Sequence, residues 1–349
     1  MEIIWIVYIC VVAAAVFAAL YLYAFRYEPF NFKLSDVDIF IEDRLVDKSG
    51  ANKPAIPMLT ILHLSDFHLR KNLKGKRLFE FVKSLSKLDV DLILITGDLM
   101  ESDKNIDYLV DMLSCLKAKY GKYAVFGVHD HYHKTVLEFL KNIFKKKREY
   151  KKKNDTSYII KRLADIGIEV LLNQVRKISI KGTGVSNIEI IGLDDPIIKK
   201  IDVAGAFSYI EPAKKSKILK RSDYLKEYKD TFNLKQYSIH RLNNDGILRI
   251  VMLHTPDSES IIDLAGRDSD IIFSGHTHGG QVRLPLIGAI ISGCNIKTKF
   301  ASGLFYFKKF VLYVSRGLGE GRYSQCRFYC QPEASLVKIY KTCGPLKKV

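Results

Sequence analysis

From Ile3 to Phe25 the chain runs IIWIVYICVVAAAVFAALYLYAF without a single charge. About twenty apolar residues, rising about 1.5 Å each, match a hydrocarbon core of roughly 30 Å, so the pattern predicts one N-terminal transmembrane helix. Trp5, Tyr8, Tyr21, Tyr23 and Tyr27 lie toward its two ends, where amphipathic rings prefer to sit. A cleaved signal peptide is the competing reading, but Met1-Glu2 lacks the basic start such a peptide carries. A buried core helix fits less well, because the run has no polar face.

Residues 1–27 are therefore read as an anchor and 28–57 as a mixed-charge linker, closed by the prolines at 54 and 57. The pattern then changes. Met58–Leu64 reads as a buried strand, Leu78–Leu88 has helical spacing, and Leu92–Thr96 is a continuous apolar run ending at Gly97-Asp98. Ile106–Leu116 is again helical, and Tyr123–Phe126 ends at Gly127. Strands follow at Ile188–Ile191, Leu248–Leu253, Asp270–Phe273, Phe310–Val314 and Ser335–Ile339. Alternating strands and helices open an α/β domain with polar residues at the strand C-termini, where such sheets place ligands. The β-rich second half predicts a second sheet, so residues 58–340 are expected to form two packed mixed β-sheets flanked by helices, with a tail at 341–349.

Composition adds charge to this picture. Across 349 residues, 55 Lys and Arg exceed 38 Asp and Glu, for a net charge of +17. Much of the excess sits in two stretches, near 139–155 and 199–247, which read as surface insertions with a solvated face. Contact with an anionic membrane surface is the functional alternative, at about 1 kcal/mol per basic residue. Arg26 and Lys33 follow the span and no basic side chain precedes it, which biases the C-terminal bulk toward the cytoplasm of a single-pass cell-membrane protein. No basic motif is interleaved with aromatics, so no nucleic-acid partner is expected. The six cysteines include no CxxC pair, which argues against a disulfide or zinc framework.

The chemistry lies in five loops that each follow an apolar run: Ser65-Asp66-Phe67-His68, Gly97-Asp98, Gly127-Val128-His129-Asp130-His131, Leu253-His254-Thr255-Pro256 and Ser274-Gly275-His276-Thr277-His278-Gly279. One Asp or His in a loop is usually no more than a solvated side chain; five such loops in order are a pattern. Imidazole nitrogen mixed with carboxylate oxygen suits Mn²⁺, Fe or Zn²⁺. A single carboxylate at Asp98 can bridge two ions about 3.5–4 Å apart, the separation used for in-line phosphoryl displacement, and bridged water loses its proton near neutral pH.

The order DxH, GD, G-x-H-D, H, GHTH resembles the calcineurin-like metallophosphoesterase superfamily over nearly all of residues 58–340. The downstream segments Gly192-Leu193-Asp194-Asp195, Gly279-Gly280-Gln281-Val282-Arg283-Leu284-Pro285 and Ser315-Arg316-Gly317, with the N-terminal span, resemble its membrane-anchored bacterial phosphodiesterase branch. That branch is similar to the diphosphatases that cleave UDP-2,3-diacylglucosamine in lipid A synthesis. The resemblance implies two divalent metal ions, with Asp66, His68, Asp98 and His278 on one and Asp98, His254 and His276 on the other. A metal-bridged hydroxide would attack a phosphodiester or pyrophosphate, in a phosphorylated and lipid-linked substrate. His129 would protonate the leaving oxygen, with Asp130 orienting its imidazole. Gln281, Arg283 and Arg316 are candidates to meet the anionic substrate.

Val128 departs from the pattern, because the family places there an Asn whose amide oxygen binds the second metal. Three ligands still hold a catalytic metal, so weaker occupancy is expected. Two alternatives stay open: His131 lends a nitrogen from the same loop, or the chain is a degenerate homologue that binds phosphorylated lipid without cleaving it. Glu101, where many members have Asp or Asn, is a smaller departure. His63 reads as a strand histidine, and His133 and His240 as surface residues.

Overall fold

The structure is a computed structural model that describes residues 1–42, 57–133, 150–180, 187–209, 240–241, 246–307, 309–321 and 324–342. Most of both lysine-rich stretches lies outside these residues. In chain order the strands are β1 (Lys33–Glu42), β2 (Leu59–Leu64), β3 (Leu92–Thr96), β4 (Lys122–Val125), β5 (Tyr132–His133), β6 (Lys152–Lys153), β7 (Ile168–Val170), β8 (Gln174–Ser179) and β9 (Asn187–Leu193). They continue as β10 (His240–Arg241), β11 (Ile247–Leu253), β12 (Ile271–Ser274), β13 (Arg283–Leu284), β14 (Gly288–Ala289), β15 (Gly303–Tyr306), β16 (Val311–Val314) and β17 (Glu333–Thr342). The α-helices are α1 (Glu2–Leu22), α2 (Leu73–Ser84), α3 (Ile106–Ser114), α4 (Val128–His131), α5 (Thr156–Ala164), α6 (Val203–Phe207) and α7 (Ser258–Ala265).

Two mixed sheets face each other, ordered β10-β1-β17-β2-β3-β4-β7 and β15-β16-β12-β11-β9-β8. Period-two alternation sorts their side chains. Leu59 and Ile61 of β2, and Leu92 and Leu94 of β3, join Ile250, Met252, Ile271 and Phe273 in the core between the sheets. Leu62, Leu64, Ile93 and Ile95 point the other way and pack with Leu78, Leu109 and Ile159 of α2, α3 and α5. The outer face of the second sheet, Val251, Leu253 and Leu312, is covered by α6 and α7 through Phe207, Ile261 and Leu264. These are the two packed mixed sheets flanked by helices expected from the pattern. β2, β3 and β4 are mutually parallel, as are β9, β11, β12 and β16, so the C-terminal strand ends of each sheet gather along one edge.

Residues 33–42 correct the expectation of a linker. They form β1, paired in parallel with β17 from Lys33↔Glu333 to Glu42↔Thr342. Asp36 and Asp38 hid the alternation of Val37, Ile39 and Ile41, which face the inter-sheet core. Ahead of them, α1 is exposed along its length, and the stretch Glu2–Phe30 is long and apolar enough to cross a membrane. A wider, π-helical turn at Tyr23–Tyr27 then docks on the domain. Arg327 N–H donates to the Ala24 carbonyl at 2.9 Å, Cys330 N–H donates to the Glu28 carboxylate at 2.6 Å, and Tyr23 meets Phe328 edge-on.

Candidate metal centre

Each candidate ligand sits just beyond a strand end: Asp66 and His68 after β2, Asp98 after β3, His254 after β11, and His276 and His278 after β12. Asp66, His68, Asp98, His276 and His278 all have positive φ, between 43° and 67°. Asp and His tolerate the left-handed region better than most residues, and five such residues in one cluster mark backbone strained to aim side chains. The glycines beside them leave the room: a Cβ on Gly275 would stand 2.3 Å from Asp66 Oδ2, and one on Gly127 would stand 2.4 Å from Asp98 Oδ1.

The donor atoms fall into three triads, Asp66/His68/His278, His68/Asp98/His129 and Asp98/His254/His276, each with its atoms within 4.8 Å of one another. Asp98 Oδ2 lies 3.5 Å from His68 Nε2 and 3.3 Å from His254 Nε2, so one oxygen stands between the two groups. His68 Nε2 faces His278 Nε2 at 3.2 Å, and His276 Nδ1 faces His254 Nε2 at 3.3 Å. The outer nitrogen of every ring meets an oxygen that only accepts. His68 Nδ1 is 2.9 Å from Glu101 Oε1, His278 Nδ1 2.9 Å from the Gly319 carbonyl, His254 Nδ1 2.7 Å from the Thr96 carbonyl, and His276 Nε2 3.4 Å from the Gly293 carbonyl. In each neutral ring the outer nitrogen therefore carries the hydrogen and the inner one the lone pair. Four lone pairs and two carboxylates converging in a buried space fit divalent cations.

Electrostatics agree. Burial opposes charge on Asp98, yet the imidazoles of His254 and His129 hold its carboxyl well below the usual carboxylate range. Burial likewise opposes a proton on His254, and Asp98 and Asp66 outweigh it, holding the ring well above its ordinary value. Burial pushes Asp66 up, and burial with the charge of His68 pushes His278 well down. This interior attracts positive charge around Asp98.

Beyond the role expected for it, Asp130 binds backbone: its Oδ2 accepts from the N–H of Gly127 at 2.9 Å and of Asp98 at 2.7 Å, and its Oδ1 from that of Leu99 at 2.8 Å. It thus fixes the backbone under the bridging Asp98, while burial and the charge of Asp98 push its own carboxyl up to about 7. The carboxylate beside His129 Nδ1 is Glu101, at 3.7 Å, which also holds His68 and Arg70. Its signal in the sequence was only its place after Gly97-Asp98. Asn154 has no motif at all, and its amide nitrogen donates to the His129 carbonyl at 2.9 Å.

His131 stays out of the cluster: its Nε2 meets Asp194 Oδ1 at 2.7 Å and its Nδ1 meets Lys200 Nζ at 3.1 Å. His133 is half-buried, with Nδ1 against the Glu101 carbonyl. Among the expected substrate contacts, the Gln281 amide donates to the Ser324 and Cys326 carbonyls, and the Arg283 guanidinium to the Gly279 carbonyl and Ser302 Oγ. Their hydrogen bonds brace these turns. Arg316, 3.9 Å from Glu333, keeps 29% of its side chain exposed.

Residues 59–280 match the family described as calcineurin-like phosphoesterase. The chain is also similar to curated proteins over most of their length. The uncharacterised metallophosphoesterase YkoQ of Bacillus subtilis is 26% identical over 299 residues, covering 84% of this chain and 88% of YkoQ. The UDP-2,3-diacylglucosamine pyrophosphatase LpxG of Chlamydia muridarum is 24% identical over 365 residues, covering 94% of each.

Proposed function

The chain belongs to the calcineurin-like phosphoesterase family and is a phosphoric ester hydrolase, and from that premise we propose that it is tethered to the cell membrane and cleaves a phosphodiester or pyrophosphate bond in a lipid-linked substrate. The convergence of four imidazole lone pairs on the carboxylates of Asp66 and Asp98 carries the reading. Asp66, His68, Asp98 and His278 would hold one divalent ion, and Asp98, His254 and His276 the other. Bound there, two such ions supply an activated water and neutralise charge on the phosphoryl oxygens. His129 protonates the leaving oxygen from Nε2 while Glu101 faces its Nδ1; Asp130 holds Asp98 in register; Arg316 meets the substrate phosphate. The exposed apolar helix supports the tether, and LpxG, by its name, supports a lipid-linked diphosphate as substrate. UDP-2,3-diacylglucosamine is the specific candidate.

Val128 favours a second reading, a homologue that binds phosphorylated lipid without turnover. One experiment separates the two: hydrolysis of bis(p-nitrophenyl) phosphate by the full chain in detergent, titrated with Mn²⁺. Saturable turnover is expected, lost in Asp98→Asn and His276→Ala proteins that still melt cooperatively. Val128→Asn adds an amide oxygen and should lower the half-saturating Mn²⁺ concentration by about tenfold. Equal activity in wild type and both ligand variants would remove the proposed mechanism.

A further inference from the structure

A cavity of about 380 Å³ lies between the end of the apolar helix and the loop that carries His68. Its size falls among small-molecule sites of roughly 300–1,000 Å³. The two ends differ in chemistry. On the helix side it is lined by Tyr21 and Phe25, stacked at 4.7 Å and both exposed, and by Pro29 and Phe30, with the guanidinium-bearing Arg26 at the helix end among them. On the other side it reaches Arg70, Lys74 and His68. Arg70 Nη2 is held by Glu101 Oε1 at 3.1 Å, and Lys74 pairs with Glu320, which also lines the cavity, so both cations are fixed in place by carboxylates. Aromatic rings that continue a membrane-length helix, with three cations, Arg26, Arg70 and Lys74, against the single lining carboxylate of Glu320, fit one kind of molecule: an amphiphile with a hydrocarbon chain and an anionic phosphate head.

We propose that this cavity is an acyl-chain slot, in which the chain of a phosphate-bearing lipid lies along Tyr21, Phe25 and Phe30 while its head is drawn toward Arg70 and Lys74 beside His68. The slot rests on the reading of the protein as a membrane-tethered phosphoesterase and adds a route: the lipid slides along the anchor helix, so its phosphate reaches the metal centre without the whole molecule leaving the bilayer.

The test uses the full chain in nanodiscs and a dodecyl phosphate carrying a diazirine on its terminal carbon. Photolysis followed by peptide mass spectrometry should place the label on 21–30 and 73–78. Unlabelled dodecyl phosphate should displace it saturably, and dodecanol or inorganic phosphate should not. Leu73→Trp, which puts a large ring at the cavity wall, should cut labelling at least fivefold. Label confined to residues 3–20, label on the apolar turn at 284–291, or label that dodecanol displaces equally well would each overturn the slot. Diester hydrolysis measured on the same sample keeps the two ideas apart. Labelling of the slot without hydrolysis would leave a lipid-phosphate binder, and hydrolysis without labelling would leave an enzyme that takes its substrate by another route.

Discussion

At the scale of single residues, the site is built from side chains whose surroundings decide their charge. His63 gives the plainest case. It is fully buried in β2, its Nε2 lies 2.8 Å from Thr96 Oγ1, and its ring packs edge-on against Phe273 and Tyr313. Burial alone lowers its pKa to about 3. The folded state therefore binds fewer protons than the unfolded state below the ordinary imidazole pKa. Its stability contribution is complete above about pH 6.5 and falls as pH drops from there toward 3, by about 2 kcal/mol at pH 5. Urea unfolding at pH 7.5 and pH 5 should show this loss in the wild type and a loss smaller by that amount in His63→Gln. Equal losses in the two proteins would mean that the ring titrates alike folded and unfolded. Beside it, the Asp and His residues that the structure brings together were legible in order because each follows an apolar run that forms a strand. The hydrogen bonds that fix each ring were not, because carbonyls such as those of Thr96, Gly293 and Gly319 belong to any residue and leave no mark in the sequence.

At the scale of elements, long apolar runs announced themselves: β2, β3, β11 and β16 lie where the runs predicted strands, within a residue or two at their ends. Amphipathic or short pieces did not, among them α5, α7 and β8. β1 is the instructive miss, for its alternation is half apolar and half acidic, as suits a strand with one face on the core and the other carrying charge. Its inward side chains Val37, Ile39 and Ile41 pack between the sheets, and each fully buried aliphatic chain is worth roughly 1.5–3 kcal/mol. A chain starting at Glu28 should therefore unfold at clearly higher urea than one starting at Gly50, by several kcal/mol in extrapolated stability. Matching midpoints for the two fragments would show that the ladder with β17 adds nothing, and that the apolar helix joins the domain through a true linker.

At the scale of the whole molecule, the membrane-length helix and the candidate metal centre are joined through Arg327. This side chain is fully buried, its backbone N–H is on the Ala24 carbonyl, and its guanidinium donates to the carbonyls of Arg316, Gly317, Gly319 and Cys330. The Gly319 carbonyl in turn accepts from His278 Nδ1. Three hydrogen bonds thus lead from the end of the helix, through Arg327 and the Gly319 carbonyl, to the candidate ligand His278. The charge is answered by Glu320, buried with it at 2.8 Å. Glu320 also pairs with Lys74, so removing Arg327 leaves that carboxylate with one cation in place of two and four carbonyls without their donor. Breaking a buried pair costs up to about 3–5 kcal/mol, whereas removing every charge of the group is often close to neutral. Arg327→Met should accordingly lower the melting temperature of the full chain sharply and raise the Mn²⁺ concentration needed for half-maximal turnover, because the Gly319 carbonyl loses its brace. Adding Glu320→Leu together with Lys74→Met, so that no charge of the group stays unanswered, should restore most of the melting temperature and little of the metal affinity, since the carbonyls stay unbraced. If the triple variant recovers both together, Arg327 acts on the site only through global stability, and the helix is merely attached to the domain rather than tied to its chemistry.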